Sequence, residues 1–142
     1  MDTEIMQEII LSHYRDPRCR VELDDDLHVH TAKNPACGDV MRLQIRENED
    51  GLLIQHRSEG CAASVASCSI MCEMLSGEKP SVVRSTIDDF LESMTAEDPK
   101  VEGRSLEWQS LLHFRHQPSR AFCVMLPWQC ARNALAEGID NH

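Results

Sequence analysis

Between residues 40 and 57 the side chains alternate, and after residue 61 they recur every third or fourth position. That change of period limits the folds open to the chain. Met41, Leu43 and Ile45 fall on one face of a strand, with Arg42, Gln44 and Arg46 on the other. ENEDG at 47–51 is turn chemistry, and Leu52–Arg57 reads as the returning strand. Leu27–Lys33 reads as a strand before them. From there on the period is helical: Cys61, Val65, Cys68, Cys72 and Leu75 share one helical face that ends at Gly77. Val83, Ile87, Phe90, Leu91 and Met94 mark a further helix with Ser81 as its cap. Leu106–Leu112 is a short helix, and the last helix runs from Leu126 to Glu137, stopped at Gly138. A first helix over 4–14 has Asp2 and Thr3 as candidate caps and ends at Asp16-Pro17. Strands before helices predict an α+β fold, an antiparallel sheet of about three strands packed with several helices. The expected layout is one domain over 1–142: helix and link to 26, sheet over 27–60, mainly helical from 61.

Composition narrows the function. The formal charge of −10 lacks the basic footprint a nucleic-acid binder needs. No apolar run approaches the ~18–20 residues of a membrane span, and MDTEIMQEII does not resemble a signal peptide. The expectation is therefore a cytoplasmic protein without nucleic-acid or membrane partners. Seven cysteines, an odd number at irregular spacing, argue against a disulfide framework. In such a setting thiols are core fillers, metal ligands or reactive sulfurs.

Three cysteines stand out. Cys37 lies in NPACGD, 34–39, where glycine lets the chain bend sharply enough for Cys37 and Asp39 to aim at one point. Cys61 opens a helix, where unpaired N–H groups favour a thiolate. Cys123 takes a similar place if the last helix begins at Val124, which would also put Pro127 harmlessly in the first turn. Three thiolates and a carboxylate suit tetrahedral zinc or a small iron–sulfur cluster. Against this, free cysteine is commonly buried, and Cys68, Cys72 and Cys130 read as core. Cys68 and Cys72 can clip a metal together, but nothing else in the sequence points there. Cys19 reads as an ordinary exposed thiol. His13 reads as a satisfied core residue, His28, His30 and His56 as strand residues, and His113 and His116 as remote substitutes for a ligand. Ser64, Ser67 and Ser69 read as helix serines bonded to carbonyls or packed against a neighbour.

Four segments carry a family likeness in register: ILSHYRDPR (10–18), NPACGDVMRLQI (34–45), EGCAASVASCSIM (59–71) and PSRAFCVMLPW (118–128). Together they resemble the U-type iron–sulfur cluster assembly proteins, the SufU/IscU family. The resemblance implies a three-stranded antiparallel sheet carrying helices, and a metal site at Cys37, Asp39, Cys61 and Cys123. Phe122 stands where the IscU branch has histidine. The long interval from Cys61 to Cys123 and the Pro118-Ser119-Arg120 run resemble the SufU branch instead, where Arg120 matches a common arginine.

What the resemblance implies about activity comes in two classes. In the SufU branch zinc is bound, and the Cys37 equivalent accepts persulfide sulfur from a cysteine desulfurase of the SufS/IscS type, a possible zinc-dependent sulfurtransferase activity. In the scaffold reading a [2Fe-2S] cluster is assembled on the same ligands and passed to downstream assembly or acceptor proteins.

Overall fold

The computed structural model describes residues 2–141. Helix α1, Thr3–Arg15, begins where the Asp2 carboxylate accepts the Glu4 N–H at 2.8 Å, and it stops at Asp16, before the proline. Its buried face carries Met6, Ile10 and His13. Strands β1 (His30–Asn34), β2 (Asp39–Asn48) and β3 (Gly51–His56) form an antiparallel sheet in the order β1-β2-β3. The register pairs Asn34 with Asp39 across the first turn and Leu43 with both His30 and His56. A short β4, Asp140–Asn141, pairs in parallel with Arg46 and Glu47, past the Leu43 partner of His30, where β1 begins.

The first strand starts later than the sequence suggests, so His28 lies outside it. Residues before it are held otherwise: the Asp24 N–H donates to Gln44 Oε1 at 2.8 Å, and the Gln44 amide donates back to the Asp24 and Leu27 carbonyls. This clasp also buries Gln44, which alternation alone places on a polar face.

Helix α2, Ala62–Leu75, is capped by Cys61 as expected, but it does not show one buried face. Every residue from Ala63 to Cys72 is buried. Alanine, serine and cysteine are small, so α1, α5 and β3 can close on the helix from several sides at once. Helix α3, Pro80–Thr95, is capped by Lys79 rather than Ser81. Proline fits the first helical position because its missing N–H would have no partner there. Helix α4, Leu106–Leu112, matches expectation and is capped by Ser105, which accepts the Trp108 N–H at 3.1 Å. A 3-10 turn over His113–His116 leads into α5, Pro118–Glu137.

The last helix therefore begins two turns earlier than Leu126, again on a proline. Cys123 is not a cap, and Pro127 lies in the interior, where it has no N–H for the Cys123 carbonyl four residues back. Nearby, the Ser67 hydroxyl of α2 donates to the Val124 carbonyl at 2.6 Å and accepts the Trp128 indole N–H at 3.0 Å. Trp128 stacks on Phe90 with centroids 4.0 Å apart, and Trp108 meets Phe90 edge-on at 5.0 Å. Such pairs contribute ~0.5–1.5 kcal/mol beyond their burial, and they tie α3, α4 and α5 together. Among the described residues, no helix is long and apolar enough to cross a membrane.

Candidate metal centre

Three segments of the chain converge at one end of the sheet. The β1–β2 turn supplies Cys37 and Asp39. Asn34 shapes it: its carbonyl accepts the N–H groups of Cys37 and Gly38, and its side-chain oxygen accepts the Ala36 N–H at 3.2 Å. Gly38 turns the chain at φ +72°, a conformation that favours glycine. The result aims an exposed Cys37 and a buried Asp39 at the same point, as the NPACGD stretch suggests.

The other two sulfurs come from helices. Cys61 is the half-buried N-cap of α2, and its backbone N–H donates to Asp39 Oδ1 at 2.9 Å. Its sulfur lies 4.0 Å from Asp39 Oδ2 and 3.6 Å from the Ser64 hydroxyl. Cys123, buried within α5, places its sulfur 3.5 Å from that of Cys37. Donor atoms of Cys37, Asp39 and Cys123 all lie within 4.8 Å of one another, and Cys61 adjoins them through Asp39. Arg120 is exposed on the first turn of α5, one turn before Cys123. His113 and His116 sit in the 3-10 turn and are not part of this group.

The electrostatics are set by the crowding. Burial opposes ionisation of Asp39, but the Cys61 N–H, the Cys123 thiol and the Ser64 hydroxyl outweigh it and hold the carboxyl below its ordinary range. Cys123 moves the other way. Burial raises its thiol first, and the Asp39 carboxylate and the Cys37 and Cys61 sulfurs raise it further. Without the helix cap expected for it, Cys123 has no N-terminal N–H groups to favour a thiolate.

A bound cation would relieve that crowding. Three sulfurs and one carboxylate are a donor set for tetrahedral zinc, and sulfurs on one such ion sit about 3.8 Å apart given Zn–S ≈ 2.3 Å. The 3.5 Å between Cys37 and Cys123 is close to that spacing.

Two supporting residues were not singled out by the sequence alone. The Asn34 amide donates to the Cys123 sulfur at 3.6 Å. Gly60, at φ +148°, lies so close to Asp39 that an added Cβ would collide with its carboxylate and Cα. Asn-Pro and Glu-Gly before each cysteine were the available signals. Among the other thiols, Cys68, Cys72 and Cys130 are buried, as expected. Cys19 is not an exposed thiol: it is half-buried against the core at φ +60°, and burial raises it.

Comparison with known proteins agrees with the four-segment likeness. The chain is 31% identical over 130 residues to the iron–sulfur cluster assembly scaffold protein IscU of Thermotoga maritima, covering 90% of each chain. It is 28% identical over 142 residues to the zinc-dependent sulfurtransferase SufU of Bacillus subtilis, covering 96% of this chain and 92% of that one. In fold it matches a putative SufU scaffold from Fervidobacterium islandicum with a TM-score of 0.76 at 22% identity, covering 94% and 99%. A NifU-like N-terminal protein from Brucella abortus gives 0.79 at 17%, covering 96% of each. The sequence profile of the NifU-like N-terminal domain matches residues 5–112, a span holding Cys37, Asp39 and Cys61. With that match over most of its length, the chain belongs to the NifU-like N-terminal domain family, alongside the IscU and SufU proteins.

Proposed function

We propose that the protein serves iron–sulfur cluster assembly as a metal-binding sulfur acceptor, taking sulfane sulfur from a cysteine desulfurase onto Cys37. The observation that carries this reading is the contrast within the site: Cys37 is exposed, while Asp39 and Cys123 beside it are buried. Only an exposed thiolate can meet a sulfur donor held by another protein.

Cys37, Asp39, Cys61 and Cys123 would hold the ion, zinc in this reading. Bound zinc supplies positive charge that keeps thiolates deprotonated near neutral pH. The rest is the work of the chain. Gly38 and Asn34 present Cys37 outward, and Asp39 is fixed by the Cys61 N–H. The Cys37 thiolate attacks the terminal sulfur of the donor's persulfide, the donor's S–S bond breaks, and its cysteine leaves as a thiolate. Cys37 ends as a persulfide, the proton staying on the transferred sulfur. Phe122, 52% exposed next to Cys123, and the exposed Arg120 are open to contact with a partner.

A second reading has its own support. A donor set of three thiols and a carboxylate also suits a [2Fe-2S] cluster as cargo, and the Thermotoga relative is a scaffold by name. Alanine release by the cognate desulfurase, with zinc-loaded wild type and Cys37→Ala, separates them. Stimulation by wild type alone, with persulfide mapped to Cys37, is the expected result. No stimulation with zinc bound would overturn it in favour of the scaffold, to be tested by anaerobic cluster reconstitution.

A further inference from the structure

A second group of metal-ligating side chains lies inside the core, away from the β1–β2 turn. Cys68 and Cys72 sit four residues apart on one face of α2, both fully buried. His56, the last residue of β3, is also fully buried, and one donor atom from each of the three lies within 4.8 Å of the others.

The histidine is prepared as ligating histidines are. Its Nε2–H donates to the Arg18 carbonyl at 2.8 Å, which fixes the hydrogen on that nitrogen. Its backbone is clasped by the same segment: the His56 N–H donates to the Cys19 carbonyl at 3.0 Å, and the Val21 N–H donates to the His56 carbonyl at 3.1 Å. Nδ1 keeps the remaining lone pair; the Ser58 N–H at 3.3 Å and the Ser58 hydroxyl at 2.9 Å lie against it here, and an ion would take their place.

We propose that His56 Nδ1 and the Cys68 and Cys72 sulfurs form a second metal site, closed to solvent, for a divalent thiophilic ion, with zinc as the first candidate. Charge argues for a divalent ion. Two thiolates and a neutral imidazole balance +2, and a neutral assembly is what a fully buried position tolerates. Softness argues for zinc over calcium or magnesium, which take oxygen ligands. Ligands on one zinc sit ~3–4 Å apart, so side-chain adjustment of about 1 Å closes the group. Ser58 offers a fourth donor at the Nδ1 edge. A closed site of this kind is structural. It would fasten β3, α2 and the 18–21 segment, and it would fill as the chain folds.

The test is to refold the full chain from denaturant with Zn2+ and count bound ions by native mass spectrometry. Wild type should carry two. A Cys37→Ala, Cys61→Ala, Cys123→Ala triple variant should retain one, and adding Cys72→Ser should remove it. Because a core variant can fail to fold, the triple variant is also loaded with Co2+. It should show thiolate-to-cobalt charge-transfer absorption together with the intense ligand-field bands of a four-coordinate site. A folded triple variant that binds neither ion, or one that binds cobalt without charge transfer, would overturn the proposal.

Discussion

The two cysteine clusters differ in how the fold builds them. The rim cluster takes one residue each from a turn, the strand start that follows it, a helix cap and a helix interior. The core cluster takes two residues from consecutive turns of one helix and one from a strand end. The first is partly exposed and, apart from the Cys37–Asp39 pair of one turn, depends on tertiary assembly to bring its donors together. The second is fully buried, and α2 alone fixes its cysteine pair. In the roles proposed here the same side chain would serve exchange with a partner in one place and permanence in the other, and access to solvent divides them.

The sharpest way to separate the clusters is to remove a buried rim ligand. Cys123→Ser should weaken zinc binding at the rim by at least ~100-fold, more than the loss of a supporting contact produces, while a core-bound ion stays. Isothermal titration against a competing chelator would measure it. Next comes Gly60→Ala, which puts a Cβ into Asp39 at a positive φ. Strain and collision together should cost ~2–3 kcal/mol of stability, read from urea unfolding, with a parallel fall in rim zinc affinity and no change at the core.

Ser67→Ala should cost less, ~1–2 kcal/mol by the same measurement, because it leaves the buried Trp128 N–H without its acceptor. The smallest effect is a pH slope. Burial, aided by Arg18, lowers His13, whose Nδ1 bonds the Ser69 hydroxyl at 2.7 Å. With the folded value below the unfolded ~6.5, the unfolded chain binds more protons in that window. Stability from this residue is therefore full above ~6.5 and falls as pH drops through the window. His13→Gln should lose less stability than wild type between about pH 7 and pH 5, as measured by thermal unfolding at each pH.

Much of the sheet was legible because alternation survives in a half-buried antiparallel strand. Met41, Leu43 and Ile45 show it, and Gln44 was misleading only because a distant link folds over it. Helix starts were harder. Ser81 was the expected cap of α3 and Leu126 or Val124 the expected start of the last helix, yet each helix begins on a proline, Pro80 and Pro118, which moves the start of α5 back and takes Cys123 off its expected cap. The four rim residues were singled out by turn and helix-cap chemistry, but it was a family likeness, not spacing, that joined them into one site. Sequence separation says nothing about which loops meet. Asn34 and Gly60 stayed hidden for the same reason, since their roles exist only once Cys123 and Asp39 arrive beside them. His56 could not be joined to Cys68 and Cys72 before β3 was laid against α2.

Pro127 gives α5 a mechanical character as well as a shape. A helix is stiff because each turn is tethered to the next, and here the tether from the Cys123 carbonyl is absent. Ahead of that point, Pro118, Ser119, Arg120 and Phe122 are exposed; behind it, Trp128, Cys130 and Ala131 are locked in the core. A partner that pressed on Phe122 would work a short lever against a fixed bearing, and the joint of that lever would be the turn that carries Cys123.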